Sequence, residues 1–148
     1  MGETLVTREQ IVADLRKLGL AAGDLVIVHS SLSSIGHVEG GAETVIAALL
    51  EVLGEQGTLM MPTFAGPPPF DVRHTPSRLG EITEVFRKYP DVVRSFHPSH
   101  SVAVLGPKAA ELIKGHLDSP TACGRETPFG RLIAMDGKIL LLGVDNDR

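Results

Sequence analysis

The sequence predicts an α/β layered fold, and three observations carry that expectation. Short apolar runs at Leu25 to Val28, Thr58 to Met61, Val102 to Leu105 and Lys138 to Val144 alternate with stretches whose apolar residues recur at helical spacing. Gly, Pro and Ser clusters bound these runs, as they bound strands. The last run, Ile139-Leu140-Leu141-Leu142, shows no alternation, which is the pattern of a strand covered on both faces. At 148 residues the chain suits a single domain over 1–148, and a domain of this size buries about 70% of the surface its unfolded chain exposes.

Each element has a local reason. Thr7-Arg8-Glu9-Gln10 is a capping-box pattern, with Ile11, Val12, Leu15 and Leu18 as the buried face of the helix it starts and Gly19 as its terminator. Gly23-Asp24 leads into the strand Leu25 to Val28. A second helical face, Val45, Ile46, Leu49, Leu50 and Leu53, ends at Gly54, and the strand Thr58-Leu59-Met60-Met61 is stopped by Pro62. The stretch from Thr63 to Ser77 holds Pro67, Pro68, Pro69 and Pro76 and is expected to be a surface loop near the strand ends. Thr75-Pro76 reads as N-cap and N1 of a helix carrying Ile82, Val85 and Phe86 and closed by Tyr89-Pro90-Asp91. Arg94 to Ser101 is a histidine-bearing loop before the strand Val102 to Leu105. Gly106-Pro107 opens a helix through Leu112 and Ile113, closed by Gly115. Thr127-Pro128 opens another, with Phe129, Leu132 and Ile133 as its buried face.

The richest stretch chemically is Leu25-Val26-Ile27-Val28-His29-Ser30-Ser31-Leu32-Ser33-Ser34-Ile35-Gly36, read as strand then loop, followed by a helix. In open α/β sheets ligands sit at the carboxyl ends of strands. Hydroxyls from Ser30, Ser31, Ser33 and Ser34, with Gly36, Gly40 and Gly41 allowing close backbone approach, make this corner suited to a phosphate group. The alternative is a serine-rich turn that caps the next helix. The stretch is neither a dinucleotide-binding glycine fingerprint nor a P-loop. Pro62-Thr63-Phe64 and His97 to Ser101 are expected to converge on the same locale.

Composition removes several function classes. The net charge of −4 and the lack of a Lys/Arg cluster argue against nucleic-acid binding. No apolar run is long enough to span a bilayer and the N-terminus lacks a signal-peptide pattern, so a cytoplasmic protein is expected. A single cysteine, Cys123, excludes an internal disulfide and a thiolate cluster, and it is left without a role. His97 and His100 sit three apart, but a zinc site needs at least three protein ligands and no carboxylate is close by in the loop, so no metal is expected. A serine hydrolase would need a GxSxG elbow, which is absent.

Taken in order, His29 to Gly36, Met61-Pro62-Thr63-Phe64, Phe70-Asp71 with Thr75-Pro76-Ser77-Arg78, Arg94-Ser95 with His97-Pro98-Ser99-His100-Ser101, Thr127 to Leu132, and Lys138 to Val144 resemble the aminoglycoside 3-N-acetyltransferase family, the antibiotic N-acetyltransferase type distinct from the GNAT fold. The resemblance covers nearly the whole chain. It implies a three-layer α/β/α sandwich with a mostly parallel or mixed central sheet, and an acetyl-coenzyme A dependent N-acetyltransferase acting on an aminoglycoside amine, hence antibiotic resistance. Carried over by position, Ser30, Ser31, Leu32, Ser33, Ser34, Ile35 and Gly36 would hold the pyrophosphate and pantetheine arm. Thr63, Ser101 and Val102 would line the path to the thioester. His29 and His97 lie in family motifs, with His97 counted among the coenzyme contacts and a backbone-bonding role as the alternative for both.

A protonated amine must lose a proton before it attacks a thioester, so the chemistry asks for a positioned base. The resemblance implies a histidine shortly after the last strand, supported by acidic residues. Family members usually run on past Val144 and are longer, so the chain reads as the coenzyme-binding part of a longer acetyltransferase, with the main base expected beyond Arg148. Asp147 matches an acidic family position. Asp71, Glu126, Asp145 and Asp147 are the carboxylates expected to face a polycationic acceptor. The competing expectation is a truncated, non-catalytic module that binds coenzyme A or a nucleotide. Which amine is the acceptor, and the oligomeric state, are not legible.

Overall fold

A computed structural model describes residues 5–64, 70–97, 100–116, 124 and 126–143, apart from the Ser33 side chain. Helix α1 (Arg8–Lys17) starts with the anticipated capping box, since Thr7 Oγ1 accepts from Gln10 N and Gln10 Oε1 accepts from Thr7 N. Strand β1 (Leu25–Ser30) leads to a single helical turn, α2 (Leu32–Ile35), and then to α3 (Ala42–Leu53). The remaining elements are β2 (Thr58–Pro62), α4 (Glu81–Arg87), β3 (Val93–Arg94), β4 (Val102–Leu105), α5 (Ala109–Ile113), α6 (Pro128–Ala134) and β5 (Lys138–Leu142).

The strands form one mixed sheet in the order β3-β4-β2-β1-β5. β1 runs parallel to both β2 and β5, while β4 is antiparallel to β2 and β3. Period-two alternation divides the interior cleanly between two faces. Val26, Val28, Leu59, Met61 and Ala103 pack with α1, α3 and α4, and Leu25, Ile27, Met60, Val102 and Val104 pack with α5 and α6. The fold is therefore the anticipated α/β/α sandwich with a mixed sheet. Among the described residues no helix is long and apolar enough to cross a membrane.

Four local expectations need correction. Helix α4 begins at Glu81 with Gly80 as N-cap, not at Thr75-Pro76. The Thr75 carbonyl is taken by the Arg94 guanidinium, and Ser77 N and Oγ bond Glu84 and Thr83 from outside the helix. Residues 75–80 are thereby held as a strap across the helix start. Leu18 is the C-cap of α1 and is 70% exposed, one position past the buried stripe. Ile133 lies on the outer side of α6 and is 72% exposed.

The fourth correction concerns β5, which lies at the edge of the sheet among the described residues. Leu140 and Leu142 pack on the α1 and α3 side, whereas Ile139 and Leu141 are exposed on the other. An unbroken apolar run cannot report which of its residues are covered.

Candidate active site at the carboxyl edge of the sheet

Because β1, β2 and β5 are parallel and β4 opposes them, one sheet edge collects the ends of β1, β2 and β5 and the beginning of β4. Ser30 to Gly36, Pro62-Thr63, the Arg94-Ser95 turn and His100 to Val102 all meet there, so the three sequence corners do share a locale. They divide, however, between the two faces of the sheet.

On the α4 face lies a cleft of about 810 Å³, lined by His29, Ser30, Ser31, Leu32, Gly36, His37 and Pro62 on one side and by Arg78 to Glu81 with Thr83 on the other. The serine loop is not mere capping. The N-cap of α3 is Gly41, and Ser31, in the N-cap position of α2, makes no side-chain capping bond. Its hydroxyl instead donates to Ser34 Oγ at 3.1 Å. Gly36, at φ +110°, turns the chain out of α2 in a conformation that L side chains rarely adopt. The loop is clamped from both flanks: Ser31 N donates to Leu142 O at 2.9 Å, and Val6 bonds both His37 O and Glu39 N.

Two polar residues end β1, with side chains that alternate between the two faces of the sheet. Ser30 Oγ is buried and has no hydrogen-bond partner among the described residues. His29 likewise has no hydrogen-bond partner among them, and burial holds its pKa below the ordinary value of 6.5.

Thr63 and Ser101 are fully buried beside the cleft rather than in its lining. Their protons can be assigned by counting. Ser101 Oγ donates to Thr63 O at 2.9 Å, so in the 3.0 Å contact between the two hydroxyls Thr63 must be the donor. Both oxygens also accept from Arg94 Nε at 3.1 Å. Arg94 further donates to Thr63 O at 2.8 Å and to Thr75 O, with Phe70 against its guanidinium 5.0 Å away. Among the described residues no carboxylate pairs with this buried cation, and desolvation lowers its pKa to about 10. Sequence reasoning placed Arg94 in a loop and counted it, with Ser95, among the pieces of the family resemblance, but gave it no role.

The opposite face carries the histidines. His116, 1% exposed, shares a 2.8 Å hydrogen bond with Ser95 Oγ and stacks on His97 with ring centroids 4.6 Å apart. His97 Nδ1 accepts from His100 N at 2.9 Å, which places the neutral ring's proton on Nε2. Burial first, then the nearby His100, lower the His97 pKa. Phe64 packs on His100 and Phe129. Val102 is fully buried below this cluster, in the same core face as Leu112 and Leu132. Among the described residues no group of three or more His, Cys, Asp or Glu is placed to hold a metal ion.

Of the expected acceptor carboxylates, Asp71 is exposed and engaged locally by Arg73 N and His74 Nδ1, and Glu126 is exposed. Asp145, Asp147 and Cys123 lie outside the described residues.

The lowered histidine pKa values set a sign for stability. As pH falls past 6.5 the unfolded chain takes up protons at these positions before the folded chain does, so stability present above that value is lost below it. Urea unfolding should show a lower midpoint at pH 5 than at pH 7.5, and a His29→Gln change should flatten the difference. A midpoint that rises toward pH 5 would contradict the assignment. Asp24 and Glu84, held low through Lys138 and Arg87 respectively, act in the carboxylate range below this window.

Comparison with known proteins decides the family. The sequence profile described as aminoglycoside 3-N-acetyltransferase matches residues 27–148. The chain belongs to the aminoglycoside 3-N-acetyltransferase family. Aminoglycoside N(3)-acetyltransferase IX of Micromonospora chalcea is 41% identical over 96% of this chain and 58% of its own length. A solved mutant of aminoglycoside acetyltransferase AAC(3)-IVa in complex with a gentamicin superposes with a TM-score of 0.93 at 35% identity, over 99% of this chain and 57% of that one. AAC-IIIb in a binary complex with CoASH superposes with a TM-score of 0.86 at 31% identity, over 93% and 59% respectively. The chain thus spans about three fifths of the length of the acetyltransferases it matches.

Proposed function

We propose that the protein serves acetyl transfer from acetyl-coenzyme A to an amino group of an aminoglycoside, with Ser30 to Gly36 holding the pyrophosphate and pantetheine arm. The observation that carries this reading is the cleft at the carboxyl edge of the sheet, walled by a hydroxyl-rich loop whose serines do not cap α3. The CoASH complex of AAC-IIIb and the gentamicin complex of the AAC(3)-IVa mutant, both sharing this fold, support it. We keep Thr63, His97, Ser101 and Val102 as residues shaping the route of the arm beyond the cleft. The Thr63 and Ser101 hydroxyl protons are committed to one another and to a carbonyl, so these two would act by shape and by holding Pro62 in place.

In the reaction the amine nitrogen attacks the thioester carbonyl. A C–N bond forms, the C–S bond breaks, and the proton lost by the amine passes through a base to the departing thiolate. Asp147 is proposed as the carboxylate nearest the acceptor, on the strength of its family position. Asp71 and Glu126 are proposed as outer charges attracting a polycation. A cytoplasmic location, where acetyl-coenzyme A is available, is part of the proposal.

Replacing Ser31 and Ser33 together with phenylalanine should weaken coenzyme A binding by about tenfold or more, measured by calorimetry, because two rings of that size crowd a short loop and remove two hydroxyl donors. Unchanged affinity would reduce the serine loop to a structural turn. Acetyl-coenzyme A binding with no thiol release on adding gentamicin, in a chain that also supplies the base expected after β5, would instead favour a binding module.

A further inference from the structure

We propose that Arg94 is a positioning residue for coenzyme binding, because it ties the end of β2 to the strap 75–80 and so sets the distance between the two walls of the cleft. Arg94 itself does not line the cleft, and its role rests on the coenzyme A reading.

Three stretches far apart in sequence meet on this guanidinium. Its Nε donates to the Thr63 and Ser101 hydroxyls, Nη2 to Thr63 O at 2.8 Å and Nη1 to Thr75 O. Thr63 directly follows Pro62, which lines the cleft beside the serine loop. Thr75 begins the strap, whose far end, Arg78 to Gly80, lines the opposite side. Arg78 N donates to Phe64 O at 2.8 Å, a backbone link between the same two stretches. The bonds from Ser77 to Glu84 and Thr83 run instead to α4. Arg94 is thus the side chain that fixes the strap against the sheet rather than against the helix.

Stability alone is a poor reason for an arginine here. The side chain is 7% exposed and these acceptors are all neutral. Taking a cation out of water is costly, and a well-packed apolar side chain of similar volume often serves stability as well. An apolar side chain cannot hold hydroxyls and carbonyls on both sides of one plane, which a guanidinium does. The position so fixed matters at the cleft. Arg78 is the one Lys or Arg among the described residues that line it, with Glu81 three positions further along the same wall. A shift of the strap by about 1 Å is enough to lose much of a positioned contact, and no second cation of the lining replaces Arg78.

The test is a double-mutant cycle read by calorimetric titration of coenzyme A into the 148-residue protein. Arg78→Ala in the wild-type background should weaken binding about tenfold, the range of one charge-assisted hydrogen bond. Arg94→Lys should weaken it by a similar factor, because one ammonium does not span the Thr63 and Thr75 carbonyls. Adding Arg78→Ala to Arg94→Lys should then cost less than about a further twofold. Ser31→Ala, on the opposite wall, should cost the same in both backgrounds. Amide exchange without ligand gives an independent reading: Arg94→Lys should strip the protection of Arg78 N, while that of Ser31 N, bonded to Leu142 O, persists.

Equal costs of Arg78→Ala in the two backgrounds, no effect of Arg78→Ala in the wild type, or coupling of Ser31 to Arg94 as strong as that of Arg78 overturns the positioning role and leaves the coenzyme reading standing. If Arg94→Lys does not fold, Pro76→Gly decides. This exposed proline lies between Thr75 and Arg78, and its loss loosens the strap without touching the buried contacts of Arg94. Coenzyme A affinity should fall about threefold in Pro76→Gly, and wild-type affinity there overturns the positioning role. Failure of the wild-type chain to bind coenzyme A overturns the coenzyme reading for this chain and the role of Arg94 with it.

Discussion

Replacing Arg94 with alanine is expected to cost about 3 to 5 kcal/mol of stability, from buried neutral acceptors left unsatisfied at about 1 to 3 kcal/mol each together with the packing lost with the side chain. Four acceptors lose the guanidinium at once, the Thr63 and Ser101 hydroxyl oxygens and the Thr63 and Thr75 carbonyls, and of these only Ser101 Oγ and Thr63 O keep the donors that the two residues give each other. The change also relieves the desolvation of a cation that no described carboxylate neutralises, a cost visible in its pKa of about 10, and this keeps the net loss from being larger. Arg94→Lys should recover little, because a single ammonium cannot reach acceptors on both sides of a planar fork. The loss should concentrate in the strap. Arg94 holds the Thr75 carbonyl at the start of the strap, Phe70 packs on the same guanidinium, and Arg87 donates to Arg73 O from α4. Proteolysis within 70–80 should accelerate before global unfolding does. A urea-derived loss below about 1 kcal/mol, with the strap still protected, would show that water replaces the guanidinium without penalty.

Arg94 also marks where sequence reading stopped. The helices with caps and the strands with bounded apolar runs were legible, because the capping box at Thr7 and the Thr127-Pro128 start are local devices that the structure reproduces directly. The convergence of the serine loop and Pro62 follows from parallel strands sharing a carboxyl edge, whereas the His97 region joins them because β4 runs antiparallel, an orientation that no local pattern reports. What stayed hidden depends on side chains meeting across long separations. The Arg94 hub joins residues 63, 75 and 101, and the His97 stack joins residue 116. Strand β3 is two residues long, too short for any period to register. Thr75-Pro76 mimics a helix start in isolation, while the bonds from Arg94 to the Thr75 carbonyl and from Ser77 to Glu84 and Thr83 hold this stretch outside α4, which starts at Glu81. The serine loop stands out by composition, yet the Ser30 hydroxyl, buried without a partner among the described residues, becomes visible only once burial is known.

Gly143→Val is expected to damage the cleft more than any change to the loop's own surface. Gly143 follows β5 with φ at +76°, where a β-branched residue is strained by about 1 to 3 kcal/mol. Space is lacking as well: a Cβ there would lie 2.6 Å from Ser31 O and 3.1 Å from Ile35 Cγ1. Neither neighbour can give way alone, since Ser31 N is bonded to Leu142 O and Ile35 N to Ser31 O. The serine loop must therefore move as a unit away from the sheet edge, carrying the cleft wall with it. Coenzyme A affinity should fall by well over tenfold, with a stability loss of about 2 to 4 kcal/mol from strain and overpacking combined. Gly36→Ala is the control that separates the two causes. Gly36 also has positive φ, at +110°, but an added Cβ meets nothing within 4 Å, so only backbone strain applies. Amide exchange at Ile35 reports the loop directly and independently of any ligand. Gly143→Val should abolish its protection while that of the β1 and β2 amides persists. If Ile35 stays protected in Gly143→Val, and coenzyme A binds both glycine variants alike, the end of β5 does not set the position of the serine loop.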